Sequence, residues 1–418
     1  MKYYPFPDNK LTKIFTGMLV LVLLLLARDT MLMTCIIGFT RSYAITVAVL
    51  ALSGIVFMAY NRKNLKNILC DSRILLLAAA AVVYLVPMAA KQDWQMMYAS
   101  ILLGSCVAVF LTYFTDHRQI GRYYVLFMTA LAVYSLIATY LLRGLVEQGL
   151  FSVPIFSNSG VRDYYNFGFA YPTVVDHRTR NFGIFREPGV YQFFLILALY
   201  LNNWKTEWDK EWKLWLVNVI LAVTMLSTQS TKGIVELGLL IVIVFFDKKL
   251  YKSRAISALF ALAALAVAAV VAYSLLTKTI LYDYLRVVFL KLVVRSNSAT
   301  ARMESILVDL RFFLSNPLFG EKISTVLYAV VDNTSSTMIL FAISGILGGL
   351  LHLAGWVALV WQKQRNVIWN LALVAMVLMS FNTQNLTWDI LFWLFPMMAL
   401  TEKAVPWLEQ KRTLLQRK

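Results

Sequence analysis

The residues best suited to chemistry in this chain are arginines set beside a few proton acceptors. Arg180 and Arg186 lie in TRNFGIFREPGVYQFF, and Arg302 lies in SNSATARMESILVDLRFFLSNPLFG, where Arg311 follows. A planar guanidinium grips a phosphate through parallel hydrogen bonds, so arginines from two segments suit a diphosphate or the charge it develops on leaving. Lys291 and Arg295, one turn apart in ILYDYLRVVFLKLVVR, extend the basic set. Near them in the sequence stand Asp332 and Asn333 in VVDNTSSTM, then Glu187 and His177, as the other polar and ionisable groups of the two loops. Each also has a plainer reading. Glu187 precedes Pro188 and fits a helix N-cap, Asp332 fits another, and exposed arginines can snorkel toward head groups.

Apolar segments must position these residues. The chain has 418 residues, 60% hydrophobic and only 15% charged, and a soluble domain is about a quarter charged. About twelve apolar stretches are each long enough to cross a bilayer. In the first half they run Leu11–Ala27, Tyr43–Tyr60, Ile74–Ala90, Met96–Phe114, Tyr123–Leu142 and Pro188–Leu201. In the second half they run Leu214–Leu226, Gly233–Phe246, Ala255–Leu276, Ser336–Trp361, Val367–Phe381 and Trp388–Leu400. The expected fold is an all-α polytopic membrane protein, one unit over 1–418. Its N-terminal MKYYPFPDNK is too polar for a signal peptide, so the first helix is expected to be retained.

Alternate loops carry NRKNLKNILCDSR, TDHRQIGR, NNWKTEWDKEWK, DKKLYKSR and QKQRN, and the tail carries QKRTLLQRK. By the positive-inside rule these lie in the cytoplasm with both termini, which makes the plasma membrane the expected location. The same rule absorbs much of the net charge of +17, so nucleic acid is not an expected partner. Two long loops, 143–187 and 278–332, then fall outside, and short amphipathic helices are expected within them. Glu236, a turn inside its span beside Lys232, is functional by default, although Lys232 offers it a simple ion pair. His117 and His352 read as surface or packing residues. Cys35, Cys70 and Cys106 show no paired spacing. No clustered carboxylates, histidine set or glycine-rich phosphate loop suggests a metal or cofactor, which leaves arginines to stabilise a leaving group.

RNFGIFREPG before one span, STQSTKGIV opening another, and ARMESILVDLRFFLSNPLFG followed by DNTSSTMILFAISGILGG together resemble the Wzy-type polysaccharide polymerases. These share a superfamily with the O-antigen ligases. The resemblance covers most of the chain and rests on the order and placement of the motifs. It implies a GT-C-like, metal-independent glycosyltransferase that moves a growing glycan from undecaprenyl diphosphate onto another lipid-linked repeat unit. A chain-length regulator protein is the implied partner. Arg180, Arg302 and Glu187-Pro188-Gly189 take the family positions, while Asp332 stands where a histidine is usual, so Asp332, Glu187 and His177 all stay open as the base. On this reading Arg180, Arg186 and Arg302 bind diphosphate, with Arg295, Arg311, Lys291 and Asn333 as further substrate ligands, and the spans hold the polyprenyl tails. A sister ligase and a lipid-linked oligosaccharide flippase or other transporter are the alternatives.

Overall fold

The computed structural model describes residues 10–27, 29–158, 162–174, 180–277, 297–330, 333–381 and 385–416. Among the described residues the protein is all-α apart from one hairpin. The first half contains α1 (Lys10–Leu25), α2 (Phe39–Tyr60), α3 (Leu65–Leu69), α4 (Ser72–Lys91), α5 (Met96–Leu111), α6 (His117–Ile137), α7 (Arg143–Glu147) and α8 (Pro188–Trp204). The second half contains α9 (Glu211–Ser227), α10 (Thr231–Asp247), α11 (Arg254–Thr277), α12 (Asn297–Ser315), α13 (Ile323–Tyr328), α14 (Ser336–Val360), α15 (Val367–Phe381) and α16 (Ile390–Gln416).

Two helices form the centre. Almost every residue of α8 is buried, and so is the first half of α16, where Leu391, Phe392, Trp393, Leu394 and Phe395 see no solvent. A helix that is apolar on every side has to be surrounded, and these two are. Helices α6, α9 and α10 pack on α8, while α5 and α14 pack on α16. Gly104 lets α5 approach closely, since a Cβ there would stand 2.8 Å from that of Trp393. His352 sits among Trp356, Phe381, Phe392 and Trp393 as a packing residue.

The outer surface is apolar as well. Leu52 and Ile55 on α2 and Leu259, Leu262 and Leu265 on α11 are all more than 60% exposed. An apolar belt of this kind belongs in lipid, not water. Among the described residues, Ser72–Lys91, His117–Glu147 and Ser336–Val360 are long and apolar enough to cross a membrane, and Ala44–Tyr60 joins Arg62–Leu69 through an 80° bend as a possible fourth. Several other expected spans form shorter helices. Helices α8, α9 and α10 have 17 residues each, about 26 Å at 1.5 Å per residue against about 30 Å of hydrocarbon.

The first long loop differs from expectation. Beyond α7 it forms a two-stranded antiparallel hairpin, β1 (Ile155–Asn158) with β2 (Arg162–Tyr165), Ile155 facing Tyr165. Asn158-Ser159-Gly160 are turn-forming residue types, and Tyr164 alternates inward to pack with Met31, Tyr171 and Phe182. In the second long loop α12 forms as expected. The interfacial helix expected over 280–295 lies outside the described residues.

Candidate functional site

The REPG segment caps the central helix. Glu187 is the N-cap of α8 in extended conformation, and Pro188 takes the first turn. Its carboxylate makes no capping hydrogen bond, so a half-buried acid stands at the positive end of the helix dipole. Arg186 is held by Asp29: Nε donates to Oδ1 at 2.9 Å, and the Arg186 N–H donates to the Asp29 carbonyl at 3.0 Å. Glu187 makes no direct bond to Arg186 and acts on it only through space. Burial works against the guanidinium charge, and Asp29 and Glu187 outweigh it, so the Arg186 pKa is raised.

The RNFG segment is fastened to the turn between α9 and α10. Arg180 Nε donates to the Thr228 carbonyl at 3.0 Å, and the Asn181 N–H to that of Ser227 at 3.0 Å. The Asn181 side chain receives the Gly183 N–H and donates to Ser135, locking the turn. Gly183 has φ +56°, and a Cβ would lie 2.6 Å from the Tyr191 ring, so only glycine fits.

The STQST turn leads into a buried polar cluster. Ser230 caps α10 and donates to Gln192 Oε1 at 2.8 Å, while Gln192 Nε2 donates to Glu236. Lys232 Nζ lies 3.9 Å from Glu236 Oε1 and donates to the Ser380 carbonyl at 2.9 Å. Glu236 is fully buried, and the simple ion pair anticipated in the sequence is present, extended by Gln192 and Ser380. Gly233 allows the close approach of α10 to α8, because a Cβ would meet the Gln192 side chain at 2.8 Å.

The second loop meets this turn through α12. Arg302 is within electrostatic range of Lys232. On the same helical face lie Ser305 and Asp309, both without solvent exposure. Asp309 Oδ1 accepts from Asn333 Nδ2 at 2.8 Å, and Asn333 Oδ1 accepts from the N–H of Ser335, the N-cap of α14. Asn333, a candidate substrate ligand in the sequence, thus uses its side chain to join α12 to α14. Burial pushes the Asp309 carboxyl up to about 7, against the opposing effect of the Asn333 bond, and its second oxygen has no hydrogen bond among the described residues. Arg311, nine residues from Arg302, falls on the opposite helical face at roughly 100° per residue and is exposed. The structure does not bring the two together. Asp332, His177, Lys291 and Arg295 lie outside the described residues.

What fixes α12 is a break in α14. Gly345 has φ +66° and ψ −166° inside that helix. The loop that follows α12 fills the opening: Glu321 N–H donates to the Ala342 carbonyl at 2.6 Å, and Ile346 N–H to that of Pro317 at 2.8 Å. Lys91 Nζ donates to the carbonyls of Glu321 and Ile343, and Tyr98 Oη also donates to Ile343. Asp93 takes the Ile323 N–H at 2.6 Å. The Ala342 and Ile343 carbonyls and the Ile346 amide at the break thus gain partners, as irregular backbone in an apolar setting requires. Neither the Asp29 contact nor the Lys91 latch had a local sequence signal. Asp309 did, because its seven-residue spacing from Arg302 sets both on one helical face.

The chain matches no protein-family model, no curated protein and no solved structure.

Proposed function

We propose that this protein is a Wzy-type polysaccharide polymerase of the bacterial plasma membrane, with about twelve spans, both termini in the cytoplasm and its site on the external face. The observation that carries this reading is the meeting of separate motifs around one turn. Arg180 bonds to Thr228 of that turn, Lys232 begins the helix after it, and Arg302 is in electrostatic range of Lys232. Arginines from the two long loops, brought to one turn at one end of the bundle, suit a diphosphate.

In the proposed reaction the acceptor sugar hydroxyl gives its proton to a carboxylate or imidazole. Its oxygen bonds to the anomeric carbon of the donor glycan as the bond to undecaprenyl diphosphate breaks. Arg180, Arg302 and Arg186 take up the charge on the departing diphosphate. Asp332 is the first candidate for the base and Glu187 and His177 the next.

The test is complementation of a strain lacking its own copy, scored as surface-glycan ladders. Wild type should restore the ladder, while Arg180→Ala, Arg302→Ala and Asp332→Asn should leave single repeat units at normal protein levels. Ladders from the arginine variants would refute this site. Loss of even single units from the surface without the protein would point to a flippase.

A further inference from the structure

We infer that the cleft between α2, α4 and α5 binds an anionic glycerophospholipid, with its head group on the bend between α2 and α3. This site is remote in sequence from the arginine motifs and does not depend on the glycosyltransferase reading.

The cleft follows from how α2 ends. After Tyr60 the chain turns by 80° through Arg62–Asn64 into α3. A helix turned that far off its span runs along the membrane surface instead of through it. Ile68 tucks under the bend against Phe57, Val109 and Tyr113, and with Leu69 it roofs one end of the cleft. Below that roof is a space of about 450 Å³, lined by Val47, Leu50, Gly54, Leu103 and Phe110 among others. Apart from the Tyr113 hydroxyl, the Cys106 thiol and the Met58 thioether, its side chains are hydrocarbon. Gly54 enlarges it, because a Cβ there would meet nothing within 4 Å.

The charge at the roofed end identifies the occupant. Arg62, Lys63 and Lys66 are all exposed on the bend, and none forms an ion pair among the described residues. The nearest acid, Asp71, is already committed: it caps α4 and pairs with the buried Arg73, whose guanidinium also donates to the Thr112 carbonyl. Three cations at head-group depth above a hydrocarbon slot match a lipid with an anionic head and acyl tails. A docked apolar helix would fill the slot and leave the cations unmatched. The basic bend also puts this site in the cytoplasmic leaflet, whose anionic lipids attract such segments.

The thiol of Cys106 lines the cleft and is exposed, so it reports occupancy. The full-length protein, with Cys35→Ser and Cys70→Ser, would be labelled with an apolar maleimide in detergent while dioleoyl phosphatidylglycerol, dioleoyl phosphatidylcholine or undecaprenyl phosphate is titrated in. Phosphatidylglycerol should protect Cys106 at far lower concentration than phosphatidylcholine. The triple variant Arg62→Gln, Lys63→Gln, Lys66→Gln should weaken that protection roughly a hundred-fold, the equivalent of about 1 kcal/mol per basic residue. Native mass spectrometry gives a second reading, in which Gly54→Trp should abolish retained phosphatidylglycerol while the thermal midpoint is unchanged. Equal protection by the two phospholipids, or undiminished protection in the triple variant, would overturn the assignment. Tighter protection by undecaprenyl phosphate would overturn it in favour of the carrier lipid.

Discussion

Replacing Gly345 by alanine tests the junction that docks the second long loop. At φ +66° and ψ −166° the backbone is in a region open in practice only to glycine, and a side chain there costs about 1–3 kcal/mol. Conformation is only part of the penalty. The new Cβ would stand 2.1 Å from the Leu318 carbonyl oxygen, so α14 and the loop must separate. Separation breaks the Ile346 to Pro317 and Glu321 to Ala342 bonds, at about 1 kcal/mol each in a buried setting. The total is about 4 kcal/mol. At about 2 cal/mol/K of unfolding entropy per residue, each kcal/mol moves the thermal midpoint of a 418-residue chain by about 1 °C, so the fall should be on the order of 5 °C. Thermal unfolding of purified protein in detergent reads this directly. Gly238→Ala is the control, because its Cβ meets nothing within 4 Å and alanine favours a helix interior. If Gly345→Ala melts within about 2 °C of that control, the inserted loop does not hold α14 and α12 together.

Two further substitutions test the charges beneath the arginines. Asp309 is neutral in the docked state up to about pH 7 and ionises near 3.8 when exposed, so docking of α12 is strongest below about 3.8 and weakens as pH rises through 7. The interval corresponds to about 4 kcal/mol, and Asp309→Asn should abolish this pH dependence and protect the loop from protease at pH 8. A steep pH dependence that survives in the variant would show that another group titrates. In the Lys232–Glu236 pair, removing one charge leaves the other buried alone, so Lys232→Met should cost about 3–5 kcal/mol in unfolding experiments. The double variant Lys232→Met, Glu236→Met should recover most of that loss, and failure to recover would show that Gln192 and Ser380, not the ion pair, set the cost.

The sequence by itself determined the chemical class of each segment. Apolar content and helical periodicity declare α2, α4, α6 and α14 as helices for lipid, because hydrophobicity over a span is a local sum. Pro188 after Glu187 marks where α8 begins, since capping needs only neighbours in the chain. Contacts between distant segments were another matter. That Arg186 answers to Asp29, that Arg180 bonds to a turn 48 residues away, and that Arg302 but not Arg311 faces Lys232 depend on how helices are rotated against each other. The break at Gly345 was equally hidden, because SGILGG reads as ordinary span until a loop and Lys91 arrive to satisfy the freed backbone. Local pattern decides which residues can bury their surface, and only tertiary packing decides which polar groups are buried together.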